Sequence, residues 1–168
     1  AYNVAVGYDA GKSVTTGTGN TILGGLAGDA LTEGQYNVAI GNYALSTEDA
    51  DGRNVAVGYS ALETLNAGTD AYNIAVGFNA GKFITTGTHN VLVGGLAGDA
   101  LTEGTSNVAV GFRALSTEDA HGKNVAIGMD ALLFQNAGRD AYNVAIGFEA
   151  GKAMTTGVKN TLIGGNAG

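Results

Sequence analysis

The sequence predicts an all-β fold, a parallel β-solenoid of about ten coils of 17–19 residues, running over residues 1–168 as a single repeat domain. Three observations carry that expectation. The pattern Asn-x-x-x-Gly-x-x-Ala begins at Asn3, Asn20, Asn37, Asn54, Asn73, Asn90, Asn107, Asn124, Asn143 and Asn160, in steps of 17, 17, 17, 19, 17, 17, 17, 19 and 17 residues. Between each Asn and Gly lies a short apolar run such as Val4-Ala5-Val6 or Val38-Ala39-Ile40, the composition of a strand. The chain has 29 Gly and no Pro, so every strand N–H stays available to bond the coil above or below.

The short units nest in a longer period. Residues 1–70 and 71–140 share 47 identities by direct alignment, and 141–168 begins a third copy. Each block holds four coils, three of 17 residues and one of 19. Seventeen residues with two Gly punctuation points are too short for a helical hairpin. They suit a strand, a Gly corner, a second short segment and a return loop. Fully extended, such a unit traces roughly 56 Å, so the interior is expected to admit only small or single-file side chains. The opening Asn residues read as a ladder of amides stacking at about 4.8 Å, with a turn-former before each strand as the plainer reading. The third and sixth residues of a unit read as trading volume. Ile22, Leu92 and Leu162 go with Gly25, Gly95 and Gly165, whereas Ala in the first unit of each block goes with Tyr8, Phe78 and Phe148.

Alternation along a strand sends neighbouring side chains to opposite faces. Because both faces of Val4-Ala5-Val6 are apolar, both should be buried. Ala suits the coil interior, and the other face forms a continuous stripe: Val4, Val6, Val38, Ile40, Val55, Val57, Val76, Val108, Val110, Ile127, Val144, Ile146 and their equivalents. No amphipathic helix exists to cover it, so another copy of the chain is the expected cover. A homotrimer is the preferred arrangement, with an end-to-end filament as the other form of self-association. The last unit stops at Gly168 in mid-coil, which predicts a longer parent fibre.

Composition excludes several classes. A formal net charge of -7 and a pI near 4.5 remove the basic footprint of a nucleic-acid or anionic-membrane binder. With no Cys there is no disulfide framework, thiol nucleophile or zinc-thiolate site. No apolar run is long enough to insert in a bilayer, and the N-terminus lacks the pattern of a signal peptide.

The recurring Asn-Val-Ala-Val-Gly and Asn-Val-Ala-Ile-Gly units resemble the head repeats of trimeric autotransporter adhesins. The fuller unit from Asn54 to Leu62 is similar to repeats in bacteriophage tail fibres. The resemblance covers the whole chain and implies a β-roll, trimeric assembly and a place on a virion, a cell surface or otherwise outside the cell. The coils are longer than those usual in adhesin heads. Neither a heptad stalk nor a terminal chaperone domain is present, so the resemblance extends to a shaft or head segment alone.

Motifs that suggest chemistry have plainer readings. Gly11-Lys12-Ser13 ends like a phosphate loop, but the earlier Gly is out of place and Phe83 and Ala153 replace the hydroxyl in the other blocks. Acidic residues gather at Asp29, Glu33, Glu48, Asp49 and Asp51, and again at Asp99, Glu103, Glu118 and Asp119, as a solvated edge. Weak calcium binding by Glu48-Asp49-Ala50-Asp51 is the alternative there. His89 and His121 have no partner at ligand or triad spacing. Thr15-Thr16, Thr85-Thr86 and Thr155-Thr156 recur only once per block, too sparsely for an ice-binding array. Tyr36, Tyr43, Tyr59 and the coil-start Tyr2, Tyr72 and Tyr142 are candidates for sugar stacking. The last three read more simply as packing beside the 19-residue coils.

The sequence therefore points to no enzyme and no cofactor. It points to a structural or adhesive segment of an extracellular or virion fibre. Loops 66–72 and 136–142 are its expected contacts with a host-surface glycan or protein. A monomeric ligand-binding solenoid, ice-binding or weakly calcium-binding, is the alternative.

Overall fold

Each Asn-led tripeptide forms a three-residue strand because β-branched residues flank a central small or aliphatic one, with Leu23 the one flanking residue that is not β-branched. In the computed structural model, which describes residues 2–48, 52–118 and 120–168, these are β1 (Val4–Val6), β2 (Thr21–Leu23), β3 (Val38–Ile40), β4 (Val55–Val57), β5 (Ile74–Val76), β6 (Val91–Val93), β7 (Val108–Val110), β8 (Val125–Ile127), β9 (Val144–Ile146) and β10 (Thr161–Ile163). They form one parallel sheet in sequence order. The register steps by one coil at every pair, as in Val38↔Val55 and Val55↔Ile74. The chain is thus an all-β parallel solenoid of about nine turns, with no helix among the described residues.

Counting the Asn of each coil as position 1, the strand occupies positions 2–4 and the Gly corner position 5. At that corner the glycines stack directly. A Cβ on Gly77, at φ +142°, would lie 2.5 Å from the Gly94 carbonyl oxygen, and one on Gly94 would lie 2.5 Å from that of Gly111. Only glycine permits both that conformation and that approach.

Beyond the corner the backbone leaves the extended region. Position 7 is left-handed in every coil, including Leu26 (φ 56°), Tyr43 (φ 60°) and Arg113 (φ 54°). Leu45, Leu62, Leu115 and Leu132 at position 9 are also left-handed, with φ between 49° and 54°. The second short segment expected after the Gly corner is thus a turn. The other walls are bends and turns, and they bond coil to coil through main-chain contacts such as Leu26 N to Tyr8 O (2.8 Å) and Gly28 N to Ala44 O (2.9 Å). A left-handed non-Gly residue costs about 1–2 kcal/mol, so the stacked coils hold these residues against their local preference.

The interior is wider than the sequence suggests. It is filled from positions 3, 8, 9 and 12. Ile22, Leu31, Leu45, Leu62, Leu65, Ile84, Leu92 and Leu101 are fully buried there beside Ala39, Ala56 and Ala109. The traded volume lies between positions 3 and 9, which both face inward. Ile22 and Leu92 accompany Gly28 and Gly98, while Ala39 and Ala56 accompany Leu45 and Leu62. Where both positions are small, neighbouring coils fill the gap. A Cβ on Gly81 would meet Leu92 Cδ1 at 2.7 Å and Leu62 Cδ2 at 2.9 Å. The sixth position takes no part in that trade, because Tyr8, Phe78 and Phe148 stand outside the wall. Position 12, otherwise aliphatic or Met, holds buried Glu48, Glu118 and Gln135. The Gln135 amide donates to Gly157 O at 3.2 Å.

Candidate functional site

The opening Asn residues line the inside of the corner that precedes each strand. The main-chain N–H of each one donates to Oδ1 of the Asn one coil earlier, from Asn20 on Asn3 to Asn160 on Asn143, at 2.9–3.1 Å throughout. Nδ2 of several of these side chains closes the coil, whereas that of Asn54 turns back to Gly52 O (3.2 Å) and that of Asn124 meets no partner among the described residues. Asn20 donates to Gly34 O (2.7 Å), Asn73 to Gly87 O (2.8 Å) and Asn90 to Gly104 O (2.8 Å). The ladder therefore links each coil to the next chiefly through backbone-to-side-chain bonds, and among the described residues Asn90 on Asn73 and Asn160 on Asn143 also make direct amide-to-amide contacts, both 3.1 Å.

The surface that faces away from this interior is the outer side of the sheet. Val38, Ile40, Val55, Val57, Val76, Val108, Val110, Ile127, Val144 and Ile146 lie on it half-buried, with Val4 and Val6 exposed at the first coil, and the residue between each pair is buried from β2 to β9. Ile74, Val93, Leu23 and Ile163 belong to the same two columns and are more open.

Two border columns flank them. One is the residue before each Asn and includes Tyr2, Tyr36, Arg53, Tyr72, His89, Lys123, Tyr142 and Lys159. The other is position 6, which includes Tyr8, Tyr59, Phe78, Phe112, Met129 and Phe148. Along the strand direction exposure alternates out to both borders: Tyr72, Ile74, Val76 and Phe78 are open or half-open, and Asn73 and Ala75 are buried. The face is thus four columns wide. The period-2 alternation carried one step past the Asn and the Gly would have revealed the borders from sequence.

Within the borders the side chains stack along the solenoid. The Arg53 guanidinium sits 5.8 Å from the Tyr36 ring centre and 5.7 Å from that of Tyr72, and His89 stacks on Tyr72 at 5.4 Å. Lys123 lies 5.2 Å from the Tyr142 ring. The two 19-residue coils supply the counter-charges, since Arg53 pairs with Asp70 and Lys123 with Asp140. The Lys123 hydrogen bond holds the Asp140 carboxyl below its ordinary range and raises the Lys123 ammonium above its own. On the opposite border Tyr59 and Phe78 stack at 5.5 Å.

Next to the position-6 border, Asp130 receives a bidentate bond from Arg113 (2.9 and 2.7 Å) and lies 3.3 Å from Lys152, which also pairs with Glu149 at 2.6 Å. Burial opposes ionisation of Asp130. The two cations outweigh it and hold the carboxyl below its usual value. Asp29 and Asp99 show the reverse. Burial raises both carboxyls, and neither Oδ1 has a hydrogen-bond partner.

The remaining candidates are placed as follows. Lys12 pairs with Asp9 at 3.1 Å. Thr15 and Thr85 donate their hydroxyls to Thr32 O and Thr102 O of the next coil, at 3.0 and 3.1 Å. His89 belongs to the aromatic stack, and His121 lies 3.9 Å from Glu118. Asp49, Ala50, Asp51 and Asp119 fall outside the described residues. Among the described residues no three acidic or His side chains converge as a metal site requires, and no helix is long and apolar enough to cross a membrane. A shallow open depression near the last coil, lined by Phe134, Glu149, Lys152, Ala153, Asn166 and Gly168, has its charges already matched, with Asn166 and Lys152 both bonded to Glu149. Comparison with protein-family models, curated proteins and solved structures gives no match.

Proposed function

We propose that this chain is a non-catalytic structural segment of an extracellular or virion fibre, assembled from copies of itself, with three as the number. The observation that carries this reading is the outer side of the sheet, two columns that are aliphatic except at Thr21 and Thr161, between borders rich in aromatic residues. Ten strands spaced about 4.8 Å span roughly 43 Å, and the six residue steps from one border to the other span about 20 Å, giving a projected area of roughly 850 Å². That exceeds the few hundred Å² of apolar patch usual on a monomer and matches the area each partner brings to a stable protein interface, about 800 Å².

The mechanism is mechanical. Main-chain bonds and the Asn ladder transmit load along each solenoid, and lateral packing of outer faces stiffens the bundle. Loops on the other walls then present host-surface contacts several times over, which raises avidity toward a glycan or protein. Absolute mass by light scattering after size exclusion tests the assembly. A stable species at three times 16.7 kDa is the expected result. A clean monomer over a range of concentrations overturns the reading and redirects the search to a free solenoid binding ice or calcium. A ladder of larger masses replaces the lateral bundle with end-to-end stacking.

A further inference from the structure

The two borders of the outer face are not independent of one another. In coils 1, 5 and 9, the first of each block, the strand carries an exposed aromatic at both ends: Tyr2 and Tyr8 about β1, Tyr72 and Phe78 about β5, Tyr142 and Phe148 about β9. In no other coil are both border residues aromatic: Gly19 faces across to Gly25, Tyr36 to Asn42, Arg53 to Tyr59, His89 to Gly95, Ser106 to Phe112, Lys123 to Met129 and Lys159 to Gly165. No level sets a charge against a like charge, since every charged residue stands on the border before the Asn and all are basic. The position-6 border carries none.

We infer that a second copy of this chain docks edge to edge, parallel and level. The pre-Asn border of one copy lies against the position-6 border of the next, and aromatic rungs at coils 1, 5 and 9 set the axial register. This rests on the self-assembly proposed above and adds which edges meet, in what direction and at what height. The contact is heterologous and closes into a ring rather than a filament when the rotation between copies permits it. At equal height His89, Phe112 and Lys159 meet the smaller Gly95, Ser106 and Gly165, Arg53 meets the Tyr59 ring, and the rungs place ring against ring. A slip by one coil in one direction would bring Tyr2, Tyr72 and Tyr142 opposite Gly25, Gly95 and Gly165, dissolving all three rungs. A slip the other way leaves a rung tyrosine facing a ring only at Tyr72, against Tyr59, and sets Tyr142 against Met129. The next rung lies four coils away, about 19 Å along the axis. The rungs therefore act as a vernier against small slips, which the near-uniform aliphatic columns cannot resist.

The absence of Cys makes a cross-linking test clean. In the double variant Tyr72→Cys/Phe78→Cys the two thiols of one chain are about 20 Å apart across the sheet, beyond a short bis-maleimide, so any product joins two chains. The expected result is covalent multimers on a denaturing gel. Neither single variant should give any product, and nor should the displaced pair Tyr72→Cys/Phe148→Cys. The coil-9 pair Tyr142→Cys/Phe148→Cys repeats the test should the first variant fail to fold. Self-cross-linking of either single variant overturns the edge assignment in favour of like edges meeting. Equal cross-linking of the displaced pair overturns the register. An unreacted double variant that keeps its multimeric mass by light scattering overturns the edge contact while leaving the fibre reading in place. A monomeric parent chain removes both.

Discussion

Asn107 donates its main-chain N–H to Oδ1 of Asn90 at 2.9 Å, while Nδ2 of Asn90 donates to the Gly104 carbonyl at 2.8 Å. One buried side chain thereby satisfies a donor in the next coil and an acceptor in its own. Asn90→Ala removes both bonds and strands both groups, at about 1–3 kcal/mol for each one left unsatisfied. A loss of about 3 kcal/mol is expected from the urea midpoint. Asn90→Asp keeps Oδ1 and should still bond Asn107, but its second oxygen faces the Gly104 carbonyl. A stability equal to wild type for either variant would remove the ladder from the account of the fold.

The stacked glycines make a sharper contrast. Gly94→Ala places a Cβ 2.5 Å from the Gly111 carbonyl oxygen at φ +134°, so the coils must separate there. A cost above about 4 kcal/mol is expected, at the severe end for a point substitution. Gly68, in the first long loop at φ +67°, has nothing within 4 Å of such a Cβ. Gly68→Ala should cost only the left-handed conformation, about 1 kcal/mol. Parallel denaturation curves for the two variants check the difference.

Interior volume should be exchangeable between positions 3 and 9. Ala56→Leu alone overpacks the core and is expected to cost about 1–3 kcal/mol. Adding Leu62→Gly recreates the Leu92 and Gly98 arrangement found two coils further on, and it also relieves the left-handed Leu62. The double variant should be more stable than the sum of the two single changes, by a coupling measurable in a double-mutant cycle. Strict additivity would mean that the two positions do not share space.

The pH dependence should separate two kinds of carboxyl. Asp99 is raised by burial, so the folded state holds its proton more tightly than the unfolded chain. Stability from this group is greatest below the ordinary Asp value and falls as pH rises through the raised one. Asp99→Asn is therefore expected to stabilise the protein at pH 7 and to make little difference in acid. Thermal melts at pH 7 and below the ordinary Asp value measure this, and a destabilised variant at pH 7 would contradict it.

Asp130 behaves in the opposite sense. Its carboxyl is held low by Arg113 and Lys152 against the effect of burial. Its contribution is present above the ordinary Asp value and is lost as pH falls through the lowered one. Arg113→Met should destabilise by about 2 kcal/mol at neutral pH, the scale of a hydrogen-bonded ion pair. That difference should shrink in strong acid. An unchanged midpoint at pH 7 would show that the pair contributes nothing.

Much of the architecture was legible because each coil is selected by the same local rules ten times over. An Asn, a β-branched strand, a Gly and an Ala at constant spacing leave a stacked parallel sheet as the consistent solution. The period gives the register that the strand pairs follow. The outward direction of Val38 and Ile40 and the inward direction of Ala39 followed from strand alternation, and burial divides them the same way. The borders were less legible. Tyr8 and Phe78 read as interior ballast for Ala5 and Ala75, since an apolar residue one step past a Gly corner has no assigned side until the corner's geometry is known.

By itself, the sequence determined the repeat, the strands, the register and the face on which each strand residue lies, because these depend on spacing and on alternation along an extended chain. Tertiary structure alone decided what happens between strands. Leucines and charged residues occupy left-handed conformations that no local preference would choose. Positions 3 and 9 became partners only when the coil closed, and Asp70 and Asp140 found Arg53 and Lys123 across the coil boundary. The first and last of these depend on contacts between residues 17–19 apart, where the stacking energy of whole coils outweighs the roughly 1–2 kcal/mol that each strained residue resists.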